Sequence, residues 1–375
     1  MSASLICSAC GRVADAREGY LRPEGFVCGA CWADRLKDPG FVRALEEQLG
    51  GLISTVAGTA SQEGPLSSRN QAIAPPRIGR DRRAWESLQG LAIADALGAR
   101  FEGSDPDPAA ESAPIEPTQG VAPWTDDTQM ALSIVDVLQR HGAIEQDALA
   151  AAFARRYEPW RGYGSGMHHL LVALREGQPW REARHSVFRN GSFGNGSAMR
   201  AGPLGAYFHD APVDEVVAEA ELSAEVTHSH PEGRAGAIAV ALAAWIAARR
   251  RDSRHRSGQE LLATVATHLT PGLQVTSGLA KAVGLTPDTP LPEAVALLGN
   301  GSRISCQDTV PLALWLALNR LDDYEGAVRA AIAAGGDTDT TAAIVGSIVA
   351  AHGGLACIPA HWRSLVEPIP MDMLL

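Results

Sequence analysis

The chain has 375 residues, 46% hydrophobic but only 5% aromatic, so a sizeable core is possible and must be aliphatic and alanine-rich, which favours helix over sheet. Its formal net charge of −11 at pH 7 argues against a large nucleic-acid surface. Lysine occurs only at Lys37 and Lys281, so arginine carries nearly all the positive charge.

The chain opens with "MSASLICSAC", which has neither a basic n-region nor an apolar stretch long enough for a signal peptide; a cytoplasmic protein is expected. Cys7, Cys10, Cys28 and Cys31 then form C-x2-C, seventeen intervening residues and a second C-x2-C. That spacing predicts a zinc-ribbon-like module over residues 1–36 with one structural Zn²⁺, because four thiolates close a tetrahedral site and leave no position for catalysis. Cys306 and Cys357 stand alone in apolar surroundings and read as core residues.

Residues 37–80 read as a short helix, "DPGFVRALEEQLGGLI", followed by a Ser-, Gly-, Pro- and Ala-rich linker from 54 to 80 without periodicity. From 81 to 375 helical patterns follow one another: "RRAWESLQGLAIADALGARFE", "MALSIVDVLQRHG", "EQDALAAAFARRYEPW", "DEVVAEAELSAEVTH", "GRAGAIAVALAAWIAARRR" and "VPLALWLALNRL". No alternating strand pattern of any length interrupts them, and an all-α domain is predicted. The apolar run 235–248 falls short of the ~20 residues a membrane span needs and reads as a buried helix, so no membrane partner is expected.

Two stretches put carboxylates where they are expensive. "WTDDTQMALSIVDVL" sets Thr125, Asp126 and Asp127 ahead of a largely apolar run; "AAGGDTDTTAAIVGSIVAAHGG" does the same with Asp337, Asp339 and Thr340. Thr125, Asp126 or Asp339 would each serve as a helix cap, and Asp126 with Gln129 as a capping box. A cap needs one carboxylate, however, and each motif supplies two. The partial charge of a helix N-terminus, worth roughly 0.3–1 kcal/mol at exposed sites, does not neutralise four converging carboxylates. A pair of divalent cations does, and Asp with Thr hydroxyls is the hard oxygen set that suits Mg²⁺ or Mn²⁺.

Between the motifs, "NGSFGNGSAMR" carries a glycine-rich loop of the kind that lets backbone amides approach phosphate. Taken alone, it also reads as a chain-turning loop. "THSHPEGRAG" places His228 and His230 ahead of a buried helix, a position where structural histidines are common.

In order along the chain, "GLAIADALGARFE", "WTDDTQMAL", "GSFGNGSAMRAGPLG", "THSHPEGRAGA", "DTVPLALW" and "AAGGDTDTTAAIVGSI" resemble the ADP-ribosylglycohydrolase family over residues 81 to 360. The resemblance implies an all-α, orthogonally packed domain with a dinuclear Mg²⁺ or Mn²⁺ centre. It implies metal ligands at Thr125, Asp126, Asp127, Asp337, Asp339 and Thr340. It also implies a diphosphate and ribose loop over Gly191, Ser192, Phe193, Gly194, Asn195 and Gly196, and a histidine near the substrate at His228. Glu102 matches an acidic residue that contacts metal or gates the site in some members. One departure stands out: Ala94 replaces the glycine of the usual G-D-A-x-G, at a position assigned to helix packing.

The implied activity is hydrolysis of the glycosidic bond between ADP-ribose and a modified acceptor, a protein side chain in the first instance, with ADP-ribose as product. Asp126 or Asp127 would take the proton of the attacking water, and Glu102 would assist or gate. Two rivals remain at this stage: a dinuclear-metal phosphohydrolase cutting the diphosphate, and a reader that binds ADP-ribose without cleaving it. The choice between Mg²⁺ and Mn²⁺, and the acceptor linkage, stay open.

Overall fold

The computed structural model describes residues 4–6, 13–15, 19–22, 25–28, 78–111, 115, 121–250 and 257–369. The chain divides into two compact units, 1–72 and 73–375. In the first, the described backbone forms two antiparallel hairpins: β1 (Ser4–Ile6) with β2 (Val13–Asp15), and β3 (Gly19–Arg22) with β4 (Gly25–Cys28), Gly19 opposite Cys28. Cys7, Cys10 and Cys31, the side chain of Cys28 and the short helix and linker expected over 37–80 lie outside the described residues up to 77.

The second unit is helical, as the patterns predict. Its first helix, α1 (Ile78–Gly98), starts three residues ahead of the boundary expected at 81. There follow α2 (Asp126–His141), α3 (Gln146–Arg156), α4 (Ser165–Arg175), α5 (Trp180–Val187), α6 (Gly202–Tyr207), α7 (Val213–Glu225) and α8 (Pro231–Arg249). Then come α9 (Gly258–Ala266), α10 (Gln274–Val283), α11 (Leu291–Leu298), α12 (Cys306–Asn319), α13 (Tyr324–Ala333), α14 (Thr338–Gly353) and α15 (Ala360–Leu365).

α14 is the axis of the core. It packs against α1, α6, α8, α12 and α13, and Ala342, Ile344, Val345, Ile348 and Val349 are all fully buried. Each such Ile or Val contributes roughly 1.5–3 kcal/mol relative to exposure. With its 3-10 continuation to Cys357 this element spans 20 residues, long and apolar enough by length and composition to cross a membrane. Most of it is enclosed by protein, as expected of the core helix of a globular domain.

α1 and α14 run antiparallel at very close range because small residues line the seam. A methyl group on Gly90 would stand 2.2 Å from Ala350 Cβ, and one on Gly98 would stand 2.5 Å from the Thr338 carbonyl oxygen. Ala94 lies between them, facing Gly346. The departure noted at Ala94 is thus a packing position, its missing space supplied by glycine on the partner helix. Thr338 Oγ1 donates to the Gly98 carbonyl at 2.9 Å, and Tyr324 Oη donates to that of Gly90 at 2.6 Å. This seam brings the C-terminal end of α1 to the N-terminal end of α14, the place where the acidic motifs converge.

Candidate metal centre

Both acidic motifs open buried helices, and neither uses its carboxylates as ordinary caps. At α2 the cap is Thr125, whose hydroxyl accepts from the Asp127 amide at 3.3 Å. The anticipated Asp126–Gln129 box does not form. Gln129 Oε1 accepts instead from the Glu158 amide (3.1 Å) and the Tyr163 hydroxyl (2.8 Å), tying α2 to the loop after α3. At α14 Asp337 occupies the cap position without a capping bond; its Oδ2 accepts from Asn195 Nδ2 at 2.6 Å. Asp339 Oδ1 accepts from the adjacent Thr340 amide at 2.8 Å.

The seam joins the two mouths. Carboxylate oxygens of Asp95, Asp127 and Asp339 all lie within 4.8 Å of one another, and Thr340 Oγ1 donates to Asp127 Oδ2 at 3.4 Å. Asp126 and Asp337 stand outside that tightest set. Asp126 is half-buried at the first position of α2, its amide held by the Arg161 carbonyl at 2.7 Å. Arg161 itself stacks on Trp124 at 3.4 Å and grips Glu367 with both terminal nitrogens. The loop before α2, the loop after α3 and the C-terminal segment are thereby fastened together.

Asp95 is a component that motif reading did not single out. It is fully buried on α1 and accepts from the Thr125 amide and hydroxyl and from the Thr128 amide and hydroxyl, at 2.5–3.2 Å. Both its oxygens are engaged, so we read it as the strut that shapes the T-D-D turn, although its distances alone would admit it as a ligand. The available signals were a single carboxylate in the apolar stretch "GLAIADALG" and its place as the Asp of the G-D-A-x-G pattern. Also missed was the loop between α11 and α12. The Asn300 carbonyl accepts from the Asp337 amide at 3.2 Å, a methyl group on Gly301 would collide with Asp337 Cβ, and Thr309 shares Asn195 with Asp337.

The glycine loop comes to the same region. Asn195, Gly196 and Ser197 form a 3-10 turn, Gly191 is in the left-handed region at φ 80°, and Ser192 Oγ accepts from the Gly194 amide at 3.1 Å. Asn195 is directed at Asp337 and Thr309, so within the loop it is the acidic centre's hydrogen-bond donor. Phe193 is exposed and His228 is buried beside Gly194 and Gly196. Cys306 is buried, as expected of a core residue, and donates to the Gly194 carbonyl at 3.1 Å; Cys357 is only half-buried. Glu102 follows the 3-10 turn Ala99–Phe101 after α1, exposed at the rim.

The carboxylates raise one another's pKa values. Burial, then the Asp339 charge, pushes Asp95 up to about 7. The Asp339 charge, then burial, does the same to Glu102. Asp126, Asp127 and Asp339 are driven well above the ordinary carboxylate range, first by burial and then by neighbouring carboxylates, and burial raises Asp337. Like charges crowded in low dielectric are stable only if protonated or if a cation sits among them. One atom favours the cation: Asp127 Oδ1 is buried without a hydrogen-bond partner, and a carboxylate oxygen so placed carries a desolvation cost until something positive meets it. Asp and Thr oxygens are the donor set of Mg²⁺ or Mn²⁺, and the residues present fit such an ion.

The sequence signature of the ADP-ribosylglycohydrolase family matches residues 76–373, a span that contains every element of this centre. The chain belongs to the ADP-ribosylglycohydrolase family. Among its relatives, ADP-ribosylhydrolase ARH3 of Bos taurus is 29% identical over 327 residues, covering 75% of this chain and 87% of that protein. The Mus musculus ARH3 is 30% identical over 322 residues, covering 75% and 86%. A solved structure described as an ADP-ribosylglycohydrolase-related protein complex superposes with a TM-score of 0.54 at 26% identity, over 77% of this chain and 93% of its own. The family match begins after the N-terminal unit, which stands apart from it.

Proposed function

We propose that this family member is a metal-dependent hydrolase that cleaves the glycosidic bond between ADP-ribose and a modified acceptor, a protein side chain in the first instance. The observation that carries the reading is the meeting of two acidic helix mouths around the unpartnered Asp127 Oδ1, beside a glycine loop whose Asn195 is bonded into the same cluster. Thr125, Asp126, Asp127, Asp337, Asp339 and Thr340 would hold two Mg²⁺ or Mn²⁺ ions. When bound, such ions orient vicinal ribose hydroxyls and acidify a water. A structural Zn²⁺ at Cys7, Cys10, Cys28 and Cys31, and a cytoplasmic location, belong to the same proposal.

The protein's own groups divide the remaining work. Gly191 to Gly196 offer backbone amides to the diphosphate, with Phe193 on the open side. Asp126 has the half-buried carboxylate at the mouth of α2 and accepts the proton of the attacking water, while Asp127, its Oδ2 accepting from Thr340, turns its free Oδ1 to the cation. Glu102, exposed at the rim beside the cluster, suits assistance to the departing acceptor atom or gating of the site. The bond would part through an oxocarbenium-like state.

Product analysis tests the proposal. With Mg²⁺ or Mn²⁺ the protein should release intact ADP-ribose from defined ADP-ribosyl-serine or ADP-ribosyl-arginine peptides, and EDTA should stop it. AMP among the products would establish the phosphohydrolase instead. Tight ADP-ribose binding without turnover would establish a reader.

A further inference from the structure

Arg200, just after the glycine loop, is a buried cation that the site described above leaves unused. It is completely inaccessible, stacks on Phe153 at 4.6 Å and among the described residues makes no ion pair. A guanidinium buried without a carboxylate against it is a costly arrangement. Its Nη2 donates to the Ser223 carbonyl at 3.0 Å and to Thr227 Oγ1 at 2.9 Å. Thr227 Oγ1 in turn lies 2.6 Å from His228 Nδ1.

The direction of this chain follows from counting protons. Arg200 can only donate, so it occupies a lone pair of Thr227. Thr227 has one proton, and His228 Nδ1 is the acceptor within reach. In the reverse arrangement, with Nδ1–H donating, the buried Thr227 proton would have no acceptor. A doubly protonated ring would also face the guanidinium; burial and Arg200 push the His228 pKa down to about 3. The opposite edge of the ring faces the glycine loop: a methyl group on Gly194 would stand 3.3 Å from Nε2 and one on Gly196 3.1 Å from it.

We infer that Arg200 is a positioning residue which, through Thr227, fixes His228 as the neutral tautomer protonated at Nε2, so that the ring offers a permanent N–H donor to a ligand oxygen seated on the Gly191–Gly196 loop. The identity of that oxygen, a phosphate or ribose oxygen of ADP-ribose, rests on the function proposed above. The tautomer does not. In this arrangement His228 is a donor and never a proton carrier, which separates it from the acid–base work assigned to Asp126.

The test is long-range proton–nitrogen NMR on full-length protein labelled with ¹⁵N-histidine, His228 being assigned by the signals lost in His228→Gln. The wild type should show one tautomer, Nδ1 bare and Nε2 protonated. Thr227→Val should move both nitrogens towards a common averaged shift, and Thr227→Ser should restore the wild-type pattern. Protonation at Nδ1 in the wild type, or an unchanged pattern in Thr227→Val, overturns the inference, and an unchanged pattern in a folded Arg200→Met overturns Arg200's part in it. Calorimetry with ADP-ribose completes the test: Thr227→Val should bind about 5- to 10-fold more weakly. Equal affinity in a variant whose tautomer has shifted would overturn the ligand assignment and leave the relay standing.

Discussion

Thr125, Asp126 and Asp127 enter α2 under the control of a residue 30 positions upstream, whereas Asp337 to Thr340 enter α14 on glycines of their own. At α2 the turn is shaped by Asp95, which collects four donors from Thr125 and Thr128, and by the Arg161 carbonyl on the Asp126 amide. At α14, Gly335 and Gly336 both adopt positive φ (64° and 74°), and any Cβ there would strike the backbone of residues 104–106 or of Asn300. Two motifs that look alike in sequence therefore differ in how their geometry is guaranteed. One is braced by a buried carboxylate from another helix, the other by backbone conformations only glycine adopts readily. The α14 mouth should tolerate almost no change, and the α2 mouth should fail by degrees through its brace.

The largest effect is expected at Asp339. Asp339→Asn keeps the size of the side chain but removes a charge from the cluster, and hydrolysis should fall by about three orders of magnitude or more. Helical circular dichroism should be retained, because Asp339 makes no cap that Asn could not make. Turnover within tenfold of wild type would show that the residue only shapes the helix start.

Asp95→Asn separates bracing from ligation. If Asp95 only holds Thr125 and Thr128, its loss should weaken metal affinity and activity by roughly 10- to 100-fold, the scale seen when groups that orient metal ligands are removed. High metal concentration should then recover much of the activity. A loss as deep as that of Asp339→Asn, without recovery, would make Asp95 a ligand and remove the contrast between the two mouths.

The contrast also explains what was legible in the chain. Paired carboxylates ahead of apolar runs announce themselves, because an unpaired buried charge is costly enough to need a reason. Asp95 does not: it is one polar letter in an apolar helix, and its partners lie 30 to 33 positions away. The Gly90–Ala94–Gly98 seam was hidden for a related reason. Its spacing marks one face of a helix, but only the fold shows that Gly346 and Ala350 receive it. Asn195 could be assigned to a phosphate loop from its neighbours, while its bonds to Thr309 and Asp337 depend on residues over 100 positions distant.

The smallest effect concerns stability, and it tests whether the two mouths share a cation. Without metal, Asp95 and Glu102 have folded-state pKa values pushed up to about 7 from 3.8 and 4.5. A raised carboxylate pKa means that the folded state prefers the protonated form, so their contribution is fully present below the unfolded values and is lost as pH rises through about 7. EDTA-treated protein should therefore lose stability from this cluster between pH 4.5 and 7.5. Bound Mg²⁺ or Mn²⁺ favours the ionised carboxylates and should oppose the loss. Other titrating groups affect both forms alike, so the quantity to measure is the melting-temperature difference between metal-loaded and EDTA-treated protein at each pH. It should be near zero at pH 4.5 and grow to the order of 5 °C at pH 7.5. In Asp339→Asn, which removes the charge that most raises Glu102, the growth should shrink. A gap independent of pH would mean that the ion binds away from this cluster, and the two helix mouths would then be neighbours without being partners.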